Sequence, residues 1–298
     1  MGKREKIAEL IGIDAKKGFM AKFVLYVATR VIFILVGALC ALFGDYLTAL
    51  LCALALVVFL IPTVLYKKLN IEVPAALEFS AVIFTFMCVV GGEIGHFYAQ
   101  FPLWDKFLHT FSGFLIAAIG LAFIDFFTKR KGSVLRLTPF FAVFFAFFFA
   151  LGVEVIWEVF EYAVDTFSGT TDMQADYMVK EFVSKKAGGE INPTPIVVNG
   201  IESVVINFEG GREPLVLPAY IDLGVSDTMM DLIVGAAGAF LFCIMEFVAL
   251  TKRNKSIKMI SESFVPKKHE SADEIAMGDV MCEVVDEFFD KAENLSKK

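Results

Sequence analysis

Six long apolar segments dominate this chain and leave few folds open to it. Each contains roughly 20 mostly hydrophobic residues, which is the length that a helix needs to cross a bilayer. Hydrophobic residues make up 57% of the 298-residue chain, whereas soluble domains contain about 45–50%. The segments are about 22–43, 46–66, 74–95, 105–127, 137–163 and 229–250. The sequence therefore predicts an all-α polytopic membrane protein with a six-helix transmembrane bundle.

The distribution of Lys and Arg predicts how this bundle is oriented. Short cytoplasmic loops carry an excess of basic residues, and here these residues lie before the first segment and after the second, fourth and sixth. Because these positions share one side of the membrane, both termini are predicted to be cytoplasmic. Residues 1–21 and the acidic tail 251–298 are then inside, and the links 44–45, 96–104 and 164–228 are outside.

The predicted outer loop 164–228 contains short runs of β-branched residues. The runs are 195–198, 204–208 and 215–217, separated by Asn199-Gly200 and Gly210-Gly211. Asn-Gly and Gly-Gly pairs favour tight turns between strands, so a hairpin or a three-strand meander is expected here. It would either cap the outer mouth of the bundle or form a solvated loop with local strands.

The cytoplasmic tail carries an amphipathic pattern. Between residues 273 and 294 apolar residues recur at helical spacing, and acidic residues surround them. This pattern predicts an amphipathic helix, whose negative charge argues against binding to anionic lipid. Two alternatives stay open, namely a docking helix for a cytoplasmic partner and a solvated helix without one.

Four pairs of ionisable residues lie at the predicted outer ends of the apolar segments. Within each pair the spacing is three or four residues, so both members share one face of a helix. The pairs are Glu93/His96, Asp105/His109, Glu154/Glu158 and Asp227/Asp231. Charged groups at hydrocarbon depth are costly and usually face a partner, a cavity or an ion. The common depth of the four pairs predicts one shared polar site.

The fifth segment carries the strongest part of this pattern. Glu154 and Glu158 continue through Glu161 to Asp165 along one face of the helix. Glu154 would lie some 10–15 Å below the outer end of its helix, where an acid costs about 2.5–3.5 kcal/mol. Basic residues are scarce on this side, with Lys106 as one candidate partner, so a proton, a metal ion or a water-filled cleft is expected to offset the charge.

A divalent metal ion is the cofactor that these residue types favour. Carboxylates combined with imidazoles suit Zn²⁺, Mn²⁺ or Fe²⁺. The predicted metal ligands are Glu93, His96, Asp105, His109, Glu154, Glu158, Asp227 and Asp231. Glu154 and Glu158 are also the predicted catalytic residues, each as a general base or a ligand. The simpler alternatives are helix capping by Asp105 and Asp227 and a buried structural role for His109.

Four short motifs resemble a known bacterial family. They are Gly92-Glu-Ile-Gly-His96-Phe-Tyr98, Trp104-Asp-Lys-Phe-Leu-His109, Glu154-Val-Ile-Trp157-Glu158 and Asp227-Thr-Met-Met-Asp231. Through them the chain resembles the YjdF-like inner-membrane proteins, a family with no settled biochemical function. The resemblance implies a bacterial-type plasma membrane, and it implies no particular reaction.

A weaker similarity relates the chain to the VanZ-like proteins, which are linked to glycopeptide resistance. It rests on the Asp105-Lys-x-x-His109 block and on an Asp-x-x-x-x-x-x-Gly block. In that group an Asn usually stands where this chain has Gly235, and a Gln follows the first Glu, where this chain continues with Val155-Ile-Trp157.

Three classes of function remain open from the sequence. The first is a metal-assisted hydrolase or transferase that acts on a lipid or an envelope precursor from the outer side. The second is a proton- or cation-coupled carrier, and the third is a membrane ligand-binding or sensor protein without catalysis. The sequence has no glycine-rich nucleotide motif and no Gly-x-Ser-x-Gly elbow. Nucleic-acid binding is not expected, because the basic residues flank the membrane segments.

Overall fold

Long helices account for most of the chain in the computed structural model, which describes residues 19–69, 71–128, 137–189, 191–252 and 255–268. Six of the described helices are long and apolar enough to cross a membrane. These are α1 (Phe19–Leu42), α2 (Tyr46–Leu69), α3 (Ala75–Phe86, continued by a π-helix over Met87–Ile94), α5 (Trp104–Thr128), α6 (Pro139–Ser168) and α7 (Val225–Lys252). Two short helices are α4 (Phe97–Gln100) and α8 (Lys255–Glu262). The predicted all-α polytopic membrane fold is confirmed.

Two of the long helices extend beyond the apolar segments that predict them. α6 continues to Ser168 and ends at Gly169, whose φ of 61° is the left-handed conformation that glycine adopts at helix ends. α7 begins at Val225, four residues before the predicted start at 229. Hydropathy misses these turns because their residues are polar. The loop between the two helices is therefore shorter than predicted and covers residues 169–224.

The long helices alternate in direction, so the bundle has two distinct ends. We call the end that carries the links 43–45, 95–103 and 169–224 the loop end, and the opposite end the terminal end. The predicted tail helix 273–294 and the segment 1–18 lie outside the described residues.

Two hydrophobic cores hold the helices together. One joins α1, α2 and α3 through Phe33, Cys52, Ala55, Phe59, Val82 and Val89. The other joins α5, α6 and α7, and small side chains prevail in it: Ala117, Ala118, Ala146, Ala150 and Ala239, with Phe242. Small residues let helices approach closely where lipid surrounds them. The second core therefore fixes α5, α6 and α7 as a tight unit, and this unit carries the polar residues.

The main chains of α5 and α7 are in direct contact. A Cβ atom added to Gly113 would overlap the main chain of Gly235, and one added to Gly238 would overlap the main chain of Thr110. The small residues at 235–239 allow this close approach of the two helices. This contact brings the polar first turns of α5 and α7 together at the loop end.

The loop 169–224 contains short strands that pair two by two. They are β2 (Met178–Val179), β3 (Phe182–Ser184), β4 (Ile196–Val198), β5 (Val204–Ile206), β6 (Leu215–Leu217) and β7 (Tyr220–Ile221). β5 and β6 form the expected antiparallel hairpin, in which Val204 is opposite Leu217. The three-strand meander is not formed, because β4 pairs with β3 instead of β5. β2 pairs with β7 near the base of the loop.

A short sheet ties the chain together at the terminal end. β1 (Ile71–Glu72) pairs with β8 (Lys267–Lys268). Just before β8, Val265 is buried in the core of α5, α6 and α7, and Phe264 meets Phe114 edge-to-face at 5.6 Å. The segment that follows α8 is therefore packed against the bundle.

Candidate functional site

The polar residues of α5, α6 and α7 form one buried cluster at the loop end. Its members are Asp105, Lys106 and His109 from α5, Glu154, Glu158 and Glu161 from α6, and Asp227 and Asp231 from α7. All are buried except Asp105, whose side chain is 30% exposed. The structure thus brings together six of the eight predicted ligands.

Lys106 organises one half of the cluster. Its Nζ lies 2.5 Å from Oδ1 of Asp227, 2.9 Å from Oδ2 of Asp231 and 3.1 Å from Oδ2 of Asp105. The second oxygen of Asp227 accepts a hydrogen bond from the amide of Ala175 at 2.9 Å. A buried ion pair is maintained only when hydrogen bonds satisfy its charges, and here the chain supplies both the cation and the donors. We call Lys106, Asp227 and Asp231, with the Asp105 oxygen that faces them, the lysine half.

His109 organises the other half. Its Nδ1 lies 2.9 Å from Oε2 of Glu154, and Oε1 of Glu154 accepts a hydrogen bond from Oγ of Ser112 at 2.6 Å. With Nδ1 engaged by Glu154, Nε2 is the ring nitrogen that is left for another partner. Gly235 makes room for this arrangement, since a Cβ at that position would stand 3.1 Å from Cδ of Glu154.

Nε2 of His109 faces carboxylates that are too far away for hydrogen bonds. It lies 3.9 Å from Oε1 of Glu158 and 3.8 Å from Oδ1 of Asp105. Within the described part of the chain, neither oxygen of Glu158 has a hydrogen-bond partner at normal geometry, and the polar side chains of Thr228 and Gln174 lie near it at longer range. Glu161 is held by Trp157, whose Nε1 donates to Oε1 at 2.8 Å. We call His109, Glu154, Glu158 and Glu161 the histidine half.

The start of the loop covers the cluster. Asp165, at the end of α6, accepts hydrogen bonds from the amides of Met173 and Gln174 at 2.8–2.9 Å. The side-chain amide of Gln174 donates to Oγ1 of Thr228 at 2.5 Å and to the main-chain oxygen of Glu158 at 3.5 Å. Residues 173–175 therefore bridge the ends of α6 and α7 directly above the buried acids.

Asp222 fixes the position where α7 begins. Its carboxylate accepts hydrogen bonds from the amides of Ser226 and Tyr177 at 2.9 and 3.0 Å. Partial burial acts against ionisation, but these hydrogen bonds outweigh it and lower the pKa of Asp222. The ionised side chain caps the helix whose first turn supplies Asp227.

Glu93 and His96 make no direct contact with this cluster among the described residues. Glu93 lies in the π-helix that ends α3, and His96 lies in the link after it with a left-handed φ of 55°. His96 is exposed and Glu93 is half-buried. Among the described residues, neither side chain forms a hydrogen bond or an ion pair with the cluster. The π-helix has more residues per turn than an α-helix. The side of the bundle that Glu93 and His96 face therefore cannot be read from an ideal α-helical spacing.

Two groups of side chains in the cluster are close enough to share a metal ion. They are Asp105, His109 and Asp231, and His109, Glu158 and Glu161; in each group one ligand atom per residue lies within 4.8 Å of the others. In the first group Lys106 already contacts both aspartates. Its ammonium would repel a second cation, so the second group is the better metal site.

Several polar partners in this site were not predicted from the sequence. Ser112, Trp157, Gln174 and Thr228 orient the acids, and Lys106 was only one candidate partner. A signal was present for two of them: Ser112 follows His109 by three residues and Trp157 precedes Glu161 by four, so each shares a helix face with a predicted site residue. Gln174 has no such signal, because the loop brings it to the cluster.

The fold and the buried cluster together define a polytopic membrane protein with an intramembrane polar site. The chain matches the family model described as "Predicted membrane protein (DUF2238)" over residues 23–252, which is more than half of its length. It belongs to this family, and the YjdF-like resemblance fits it. No curated protein and no solved structure matches the chain. The similarity to VanZ-like proteins stays a prediction.

Proposed function

We propose that the histidine half binds one divalent metal ion and that the bound ion activates water to hydrolyse or transfer part of a lipid or an envelope precursor. The loop end would face the outside of a bacterial-type plasma membrane, with both termini in the cytoplasm. The Lys and Arg bias of the short links supports this orientation. A site buried between membrane-spanning helices is suited to a substrate that resides in the bilayer.

The observation that carries the proposal is the environment of His109 Nε2. Two ligands that lie about 2.1 Å from one metal ion stand roughly 3–4 Å apart. The separation of 3.9 Å between Nε2 and Oε1 of Glu158 agrees with this distance. Glu158 is buried without a hydrogen-bond partner in the described residues, so a cation beside it would remove a large energetic cost.

Glu154 has a different role in this proposal from the one its sequence position predicts. It binds Nδ1, on the side of the imidazole away from Glu158, so it orients His109 and raises the basicity of Nε2. Metal-ligating histidines usually have such a carboxylate or carbonyl partner. Glu154 is therefore a positioning residue, while His109, Glu158 and Glu161 are the proposed ligands. One nitrogen and several oxygens suit Mn²⁺, Fe²⁺ or Zn²⁺.

The chemistry that the bound ion would supply is a nucleophilic hydroxide at neutral pH. Glu158 would hold the ion through one oxygen, and its other oxygen would be available to accept a proton. Asp105 is the most exposed acid of the cluster, and its Oδ1 faces the same region. The ammonium of Lys106, held by the aspartates, would lower the energy of an anionic oxygen that approaches from this side.

Metal analysis of the purified protein tests the proposal. The wild type, a Glu158→Gln variant and a Glu202→Gln control would be purified without chelator, equilibrated with Mn²⁺ or Zn²⁺ and measured by elemental analysis. Glu202 is an exposed loop residue, so its variant controls for the loss of one charge. We expect about one ion per chain in the wild type and the control and none in Glu158→Gln. A wild type without stoichiometric metal would contradict the proposed site.

Catalysis needs a separate measurement. Cleavage of p-nitrophenyl acetate and of bis-p-nitrophenyl phosphate would be followed with the metal-loaded wild type and with Glu158→Gln. Metal-dependent cleavage of either ester that is lost in Glu158→Gln supports the enzyme and identifies the ester class. Metal binding without cleavage of either ester favours a ligand-binding or sensor protein instead.

A proton- or cation-coupled carrier is the second candidate function. The observation that favours it is the surplus of acids, since six carboxyl groups surround only Lys106 and His109. Protons or monovalent cations would then offset the charge in place of a divalent metal. Ion flux in proteoliposomes that disappears in Glu154→Gln, together with a metal-free wild type, would favour the carrier over the enzyme.

A further inference from the structure

A second feature of the bundle lies away from the polar cluster. A cavity of about 850 Å³ opens between α1, α2, α3 and α5 in the half of the bundle next to the terminal end. Its walls are almost entirely apolar and include Leu25, Pro62, Ala76, Ala81 and Ile119, and Pro266 lies at its edge. Its size is within the range of about 300–1,000 Å³ that is typical of small-molecule sites.

One guanidinium group lies in this apolar wall. Nη1 of Arg30 donates to the main-chain oxygen of Tyr26 at 2.8 Å, and Nη2 donates to the main-chain oxygen of Phe59. The group also stacks on the ring of Tyr26, 3.3 Å from its centroid. Nε of Arg30 is buried and has no hydrogen-bond partner within the described residues. The guanidinium has five N–H donors, and the two bonds to main-chain oxygens leave others for an acceptor that a ligand brings into the cavity.

The depth of the guanidinium indicates which acceptor this would be. Because Arg30 bonds back to Tyr26, its head lies near the level of residue 26, about 5 Å from the start of the span at Phe23. The ester carbonyls of phospholipids lie close to this boundary. Glu78 also lines the cavity and interacts electrostatically with Arg30. Since Glu78 offsets the charge, the guanidinium is better suited to a neutral carbonyl than to a phosphate.

Positive charge lies close to the cavity along α2. Leu65 lines the cavity, and the helix ends a few residues later with Lys67 and Lys68, both exposed. Lysines at a membrane surface attract anionic headgroups. We propose that the cavity binds one acyl chain of an anionic bilayer phospholipid, with its ester carbonyl on the guanidinium of Arg30 and its phosphate near Lys67 and Lys68. This lipid site is separate from the polar cluster and does not depend on the proposed metal.

Native mass spectrometry of the full chain tests this proposal. The protein would be released from detergent micelles after titration with dioleoyl phosphatidylglycerol. Ala81→Phe places a ring in the cavity, and Ala53→Phe makes the same change on an exposed position of α2 that does not line it. We expect the wild type and Ala53→Phe to retain one lipid and Ala81→Phe to bind it at least about tenfold more weakly, because the ring occupies the volume of the chain.

Two further variants separate the headgroup from the carbonyl. The double variant Lys67→Gln, Lys68→Gln should bind phosphatidylglycerol more weakly but leave binding of dioleoyl phosphatidylcholine unchanged. Arg30→Gln should weaken both lipids alike, because both carry the ester. Equal retention of lipid by the wild type, Ala81→Phe and Ala53→Phe would overturn the proposal. If Ala81→Phe does not fold, as judged by gel filtration, Ala76→Leu fills the cavity with a smaller change. Its lipid retention is then compared with that of the wild type and Ala53→Phe, and equal retention would again overturn the proposal.

Discussion

The two halves of the polar cluster use the same kinds of residues and reach opposite results. In the lysine half, the ammonium of Lys106 contacts three aspartates, and the amide of Ala175 satisfies a further oxygen. In the histidine half, Glu154 and Ser112 hold the imidazole, but Glu158 is left without a hydrogen bond in the described structure. One half contains its own cation, and the other is the half in which we propose a bound metal ion.

This difference shows how a buried acid comes to be structural or functional. A carboxylate in a low-dielectric environment needs an opposite charge or donors. Where the chain supplies a cation at the distances of normal ion pairs, as Lys106 does, no external charge is needed. Where it supplies an oriented imidazole and leaves a separation of nearly 4 Å, our proposal is that a bound ion supplies the stabilising charge. Three experiments separate the halves on this basis.

Replacing Lys106 should have the largest effect. Lys106→Met removes the cation from the lysine half and leaves three aspartates uncompensated, a loss of about 3–5 kcal/mol for a buried pair. Lys180→Met changes an exposed lysine of the loop and is the matched control. Thermal unfolding in detergent should show a large decrease in the unfolding temperature for Lys106→Met and none for Lys180→Met.

The same variant also tests whether the ammonium excludes a metal ion. Without Lys106, Asp105, His109 and Asp231 form an open acidic site, so added Mn²⁺ should restore part of the lost stability. An unfolding temperature of Lys106→Met equal to that of Lys180→Met would mean that the lysine half is not the closed ion pair described above.

Replacing Glu154 should have an intermediate effect, which we expect on the metal affinity of the histidine half and not on the lysine half. Glu154→Gln keeps the shape of the side chain but loses the charge that holds Nδ1 of His109. Loss of such a partner weakens metal affinity by about 10–100-fold, which is about 1.4–2.8 kcal/mol. Isothermal titration calorimetry with Mn²⁺ measures this affinity. Ser112→Ala, which removes only one hydrogen bond to Glu154, should lower affinity less. Unchanged affinity in Glu154→Gln would show that Glu154 does not position the ligand.

Much of the fold could be predicted from the sequence because hydrocarbon depth imposes simple requirements. Length and polarity alone give the six helices, and the alternation of helix direction places Asp105, Glu154 and Asp227 at one end. The end of α6 and the start of α7 were less predictable, since the polar turns there resemble the neighbouring loop in composition. The pairing of β4 with β3 could not be predicted either, because Phe182–Ser184 has no turn signal that joins it to residues 196–198.

The division of the cluster into halves was beyond the sequence. Lys106 is separated from Asp227 by 121 residues, and the close contacts of Gly113 with Gly235 and of Gly238 with Thr110 set the level at which the two side chains meet. The direction in which Glu93 and His96 point could not be predicted from the sequence either, because the π-helix over Met87–Ile94 interrupts the α-helical repeat. Spacing predicts neighbours within one regular helix, whereas contacts between helices depend on packing.

Replacing Asp222 should have the smallest effect, and it tests how the loop supports the lysine half. Asp222→Ala removes the cap of α7, a loss of about 1 kcal/mol or less. Because hydrogen bonds lower the folded-state pKa of Asp222, its contribution is complete above the unfolded-state pKa of about 3.9 and is lost as the pH falls through the lower folded-state value. Thermal unfolding from pH 3 to pH 6 should therefore show a difference in unfolding temperature between wild type and variant that becomes smaller as the pH falls towards 3. Asp222→Asn retains an oxygen acceptor without the charge, so it should keep most of the stability and show less of this pH dependence. A difference between wild type and Asp222→Ala that stays constant with pH would show that the carboxylate is not ionised when it caps α7.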